Sequence, residues 1–222
     1  MEVLRATQHR SAAGQAGFTL VEVVLGGALL AGLLLVAGLV TDQCLDMLRQ
    51  RQAAETVSSN ASRALQKVAS ELAFARRDTL QPAILETQGS SSITFQRSLG
   101  VNGGAVQWSP RVTLAWELDP GEVDDGVDND GDGLVDEGEL VWTENPGLAN
   151  EQRVVLAHGL AEFLPGETFD GMDEDGDGLI DERGATFFVA GDVVRITLGL
   201  QGAGPSGRVI TKVVETSVAI RN

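Results

Sequence analysis

Apolar residues run almost unbroken from Phe18 to Val40, reading FTLVEVVLGGALLAGLLLVAGLV, and Glu22 is the one charge among these 23 positions. At 1.5 Å per helical residue, such a run crosses the ~30 Å hydrocarbon core of a bilayer with a modest tilt. Residues 18–40 therefore predict a membrane-spanning helix. Its glycines and alanines offer small-residue faces through which a neighbouring helix could approach. Further on, Val57, Ala61, Ala64, Leu65, Val68 and Leu72 recur at steps of three and four among Arg, Gln, Ser and Lys. That spacing lays one apolar stripe along a helix, so residues 41–77 predict an amphipathic continuation of the span. Arg76 and Arg77 suit the negative end of the helix dipole, and Pro82 blocks further helix. A single helix of roughly 60 residues is the expectation.

Beyond it, over residues 85–222, the period changes to that of short strands separated by Gly, Ser, Pro and Asp. Strands are predicted at Ile93 to Arg97, Val112 to Leu118, Leu140 to Glu144, Arg153 to His158, Phe187 to Val189, Val193 to Leu200 and Arg208 to Arg221. Val194, Ile196, Leu198 and Leu200 alternate and so share one face. Strands packed on the helical stripe predict an α+β head with an antiparallel sheet.

The net charge of −16 alters this picture only locally. Residues 119–139 hold ten acids and 167–182 hold eight, with no base in either window, while the rest of the chain carries 14 acids against 16 bases. Acidity concentrated in two windows points to cation sites, and no basic patch suggests a nucleic-acid partner. Cys44 is the only cysteine, so an intramolecular disulfide is excluded; flanked by Asp42 and Asp46, it reads as a small buried or lipid-adjacent residue, not a reactive thiol.

The two windows contain a repeat: GVDNDGDGLVDEGE from Gly126 and GMDEDGDGLIDERG from Gly171, offset by 45 residues. In the first loop, within residues 124–139, Asp128, Asp130, Asp132, Asp136 and Glu139 fall at positions 1, 3, 5, 9 and 12 of an EF-hand-type loop, with Gly133 at the tight turn and Leu134 offering its carbonyl. A hard divalent ion takes six to eight oxygens, and alternating Asp around glycine bends points several carboxylates inward, so calcium is the predicted ligand of both loops. The second loop, residues 170–184, offers Asp173, Asp175, Asp177, the Leu179 carbonyl and Asp181, but its twelfth position is Gly184; Glu182, Asp170 or a water is expected to substitute. Pro120 and Gly121 before the first loop, and the β-like run after it, leave no room for the flanking helices of a true EF-hand. Each loop is expected to be a hairpin tip that a cation would rigidify.

The string Gly17-Phe18-Thr19-Leu20-Val21-Glu22, directly ahead of the apolar helix, resembles the prepilin peptidase recognition site of type IV pilins and type II secretion pseudopilins. The resemblance implies a leader over residues 1–17, cut between Gly17 and Phe18 by prepilin peptidase, with methylation of the new Phe18 amine. It also implies a single-pass protein of the bacterial inner membrane with a periplasmic head. A carboxylate inside a span costs about 2.5–3.5 kcal/mol on insertion scales, and the family supplies the compensation: Glu22 would pair with the amino terminus of an adjacent pilin or pseudopilin subunit. Length and ending resemble the J-type minor pseudopilin or the W-type minor pilin, while Glu22 sets the chain apart from the K-type tip subunit. The implied role is structural and not enzymatic. His158 is the only histidine besides His9, tyrosine is absent, and no small-molecule substrate is expected. A membrane-anchored, calcium-dependent adhesion or binding module that does not polymerise is the alternative.

Overall fold

A computed structural model describes residues 17–82 and 89–220. Residues 1–16 of the expected 1–17 leader lie outside the described residues, as do 83–88, 221 and 222. The chain divides into two units, Met1–Asp46 and Met47–Asn222. Helix α1 runs Leu20–Leu72, 53 residues. Over the first unit every described residue is exposed, including Phe18, Leu25 and Leu33. A helix that presents apolar side chains all round is suited to lipid, and α1 is long and apolar enough to serve as a single-pass membrane anchor. Cys44 is likewise exposed on it.

In the second unit, α1 turns Val57, Ala61, Ala64, Val68 and Leu72 inward, with Leu65 half-buried beside them. The strands are β1 (Ser92–Phe95), β2 (Ser98–Asn102), β3 (Ala105–Trp108), β4 (Val112–Leu118), β5 (Gly138–Glu144), β6 (Gln152–Leu160), β7 (Ala185–Ala190), β8 (Val193–Ala203) and β9 (Val209–Ala219). Seven of them form one antiparallel sheet in the order β1-β4-β5-β6-β8-β7, with β9 on β8 as well, and β2 and β3 form a separate hairpin. Val194, Ile196, Leu198 and Leu200 of β8 are all buried. They share the core with Phe95, Leu114, Leu140 and Phe187. The fold class is α+β, one long helix and an antiparallel sheet, a pilin-like architecture.

Three expectations change. First, α1 ends at Leu72, not near Arg77. The backbone there turns to pair with the sheet: Arg76 N–H donates to the Gln96 carbonyl (2.7 Å) and Ala75 bridges Arg97. Arg76 and Arg77 thus lie past the helix, and Arg77 begins a short 3-10 turn. Second, the β2–β3 hairpin around Asn102-Gly103-Gly104 carries no core-facing alternation, because most of its residues are exposed. Third, only the first acidic loop is a hairpin tip, joining the paired strands β4 and β5. The second joins β6 to β7, which both meet β8: Leu160 pairs Leu200, and Ala185 pairs Leu198.

Candidate metal centre

The first acidic loop is shaped by its own carboxylates, each accepting backbone N–H groups that would otherwise be unpaired. Asp128 Oδ1 accepts from Gly131 (2.6 Å) and Oδ2 from Gly133 (3.0 Å). Asp130 and Asp132 each accept from the residue two further on, at 2.9 and 2.8 Å. Upstream, the buried Glu122 receives the N–H groups of Asn129 and Asp130 on one oxygen, both at 3.0 Å. Asp136, at φ 49°, takes those of Asp125 and Gly126 (3.1 and 2.8 Å), tying the end of the loop to its start. Leu134 is buried and roots the loop in the head.

The second loop repeats most of this network. Asp173 accepts from Gly176 and Gly178 at 2.7 and 3.0 Å, Asp175 from Asp177, and Asp177 from Leu179. Glu167 accepts from Asp175 and Asp181, Asp181 sits at φ 54° and accepts from Asp170 and Gly171, and Leu179 is buried. Gly133 and Gly178 both adopt φ +92°, the left-handed turn expected of the sixth position.

Asp128, Asp130 and Asp132 bring one oxygen each within 4.8 Å of one another, and so do Glu122, Asp130 and Glu137. In the second loop Glu167, Asp173 and Asp175 form such a group. All donors are oxygen, the chemistry of a hard divalent cation, and these clusters could hold a metal ion. Gathering the charges without one is costly. Burial, then repulsion from Asp132, Glu122 and Asp130, pushes the Glu137 carboxyl up to about 7. Burial, then repulsion from Asp177, Glu167 and Asp175, pushes Glu182 up to about 8. Burial also raises Glu167.

Two expected ligands stand elsewhere. Asp136 gathers with Asp124 and Glu162. There burial, and then the Asp124 charge, raises the Glu162 carboxyl. Glu139, expected at position 12, lies in β5 with its Oε1 2.7 Å from His158 Nδ1, and Asp119 is the third member of that group. The strand geometry explains this: Glu137 precedes β5, Glu139 is inside it, and the carboxylate that reaches Asp130 is Glu137. In the second loop Asp177 Oδ2 is engaged by Arg195 at 2.8 Å, while Glu182 is the buried carboxylate of its closing turn.

Glu122, Glu167 and Glu137 were legible in the chain. Gly121–Glu137 and Gly166–Glu182 match at 12 of 17 positions, so the repeat extends at least seven residues ahead of Asp128, the first position of the stretch that resembles an EF-hand loop.

At the other end, Gly17 and Phe18 are exposed ahead of α1. Thr19 caps the helix, and Glu22 completes a capping box: Glu22 Oε2 accepts from Thr19 N (2.9 Å) and Oγ1 (3.0 Å), and Thr19 Oγ1 accepts from Glu22 N (3.3 Å). Comparisons with family models, with curated proteins and with solved structures find no match for this chain.

Proposed function

We propose that the chain is a minor pilin-like subunit of a type II secretion pseudopilus or type IV pilus, held in the bacterial inner membrane by α1 and carrying a calcium-stabilised periplasmic head. The observation that carries this reading is Glu22. It lies in the first turn of a helix whose described residues are all exposed as far as Gln52, directly behind Gly17-Phe18. The capping box satisfies hydrogen bonds but leaves a full negative charge among lipid tails. A neighbouring subunit's free Phe18 amine would neutralise it and set the axial register of stacked subunits. Downstream, the helix packs its other apolar stretch into the sheet, which suits a rod-and-head subunit. The work is mechanical; prepilin peptidase and other pilin subunits are the partners, and no substrate is turned over.

Calcium is the ion we assign to the two loops because their donors are all oxygen, and because extracytoplasmic calcium at millimolar level fills even ~10⁻⁴ M sites. In a chain whose single cysteine excludes an internal disulfide, the ions would supply the cross-links.

Mass spectrometry of the protein recovered from its native envelope tests the processing: an N-methylated Phe18 terminus is expected, and a chain still beginning at Met1 overturns the reading. Glu22→Ala should then leave the protein processed, inserted and folded, yet absent from crosslinks with other pilins. Crosslinks that persist unchanged would remove the assembly role of Glu22. A wild-type protein that never crosslinks to a pilin is the result expected of the non-polymerising adhesion module.

A further inference from the structure

Among the described residues, three buried side-chain atoms have no hydrogen-bond partner: Arg97 Nε, Glu137 Oε2 and Glu182 Oε2. The two glutamates occupy equivalent places in the repeat, 45 residues apart, and each is only 2% exposed. An unpaired buried carboxylate oxygen is expensive. Finding one at the same point of both loops, while the surrounding Asp side chains are occupied with backbone N–H groups, indicates a partner that is not a protein group. Glu137 reaches Glu122 and Asp130, with one oxygen of each within 4.8 Å of the others. Glu182 is the equivalent buried residue of the second loop, whose carboxylate group within 4.8 Å is Glu167, Asp173 and Asp175.

The twelfth position fails as a source of the closing ligand in both loops. Glu139 lies inside β5, where its Oε1 is 2.7 Å from His158 Nδ1 and gathers with Asp119 instead of with the loop's aspartates. At Gly184 no side chain fits at all: a Cβ there would stand 2.0 Å from the Ala161 carbonyl oxygen and 2.8 Å from its nitrogen. The EF-hand register therefore needs a different explanation for each loop, whereas the tenth position serves both.

We infer that Glu137 and Glu182 are the closing ligands of the two loops, each donating its unpaired oxygen to a divalent cation, and that Glu139 is not a ligand. This rests on the calcium reading above.

Titration of the full-length, metal-free protein in detergent with Ca²⁺ alone, followed by calorimetry at fixed pH, separates the possibilities. Wild type should bind two ions. Glu137→Gln and Glu182→Gln should each weaken one site by more than ~100-fold, beyond the 10–100-fold that an outer-shell partner costs. Glu139→Gln should leave both constants unchanged. In chelator, Glu137→Gln and Glu182→Gln should melt no lower than wild type, because neither loses a hydrogen bond at the unpaired oxygen; a merely structural role would lower that melt. If wild type binds two ions and Glu137→Gln leaves them unchanged, or if Glu139→Gln abolishes a site, this assignment is overturned and the calcium reading stands. If wild type binds no Ca²⁺, both fall.

Discussion

Arg97, between β1 and β2, donates from Nη1 to Glu71 in the last turn of α1, and its guanidinium lies over the Trp142 ring at 5.3 Å. Glu71 is buried and is also held by Lys67 at 2.5 Å, one helical turn back. The pair joins helix to sheet where the helix stops. It directs the amphipathic stripe onto the core by charge and stacking as well as by apolar contact.

Arg97→Ala should therefore lower stability by about 2–3 kcal/mol. That is somewhat below the 3–5 kcal/mol typical of breaking a buried pair, since Lys67 still partners Glu71. Arg97→Lys should recover only part, because a point charge cannot both stack on Trp142 and reach Glu71. Thermal melting of the full chain in detergent measures this, and an unchanged midpoint for Arg97→Ala would show that apolar packing alone sets the helix.

Metal-free protein should lose stability as pH rises through neutrality. In the folded chain Glu137 and Glu182 titrate at about 7 and about 8, against an ordinary 4.5. Below pH 4.5 both states keep the protons and nothing is lost. Between 4.5 and 7–8 only the unfolded chain releases them, so folding becomes steadily less favourable, and above 8 the full cost is present. The chelated protein should melt lower at pH 8.5 than at pH 5.5, and saturating Ca²⁺ should remove that difference. A flat profile in chelator would mean that the two carboxylates are not held in the surroundings described.

Arg195 competes with any ion in the second loop through its 2.8 Å contact with Asp177. Both side chains are partly exposed, so the pair is worth no more than ~1 kcal/mol. Arg195→Gln should strengthen cation binding at that loop by roughly two- to fivefold. Calorimetry in a background where Asp128, Asp130 and Asp132 are Asn isolates the constant. Weaker binding would show that Arg195 supports the loop instead of opposing the ion.

Gly138 begins β5 under Trp116, whose Nε1 donates to the Ala161 carbonyl (3.1 Å) and whose face meets the Arg183 guanidinium at 4.4 Å. An added Cβ would stand 2.3 Å from the indole. Gly138→Ala should cost about 1–3 kcal/mol, since the ring is held at its Nε1 edge and on the face that meets Arg183. A lowered melt together with a shift in the tryptophan emission maximum is the expected signature.

Much of the head was readable because burial has a period. Val57 to Leu72 follow the helical repeat and are buried, and the alternation from Val194 to Leu200 marks a core-facing strand. The β2–β3 hairpin left no such trace, since its residues face water on both sides.

From the chain alone came the things set by local chemistry: an apolar run that no soluble head would expose, an amphipathic stripe, alternating strands, and two carboxylate-rich loops whose Asp-Gly spacing dictates their turns. Contacts between segments distant in sequence decided the rest. Where α1 stops depends on Gln96, which loop is a hairpin tip depends on β8, and which glutamate faces the loop interior depends on where β5 begins. Glu139 lies within β5 and Glu137 just ahead of it, so the start of the strand decides which carboxylate reaches Asp130. The choice between Glu137 and Glu139 was therefore invisible to a spacing rule taken from helix-flanked loops.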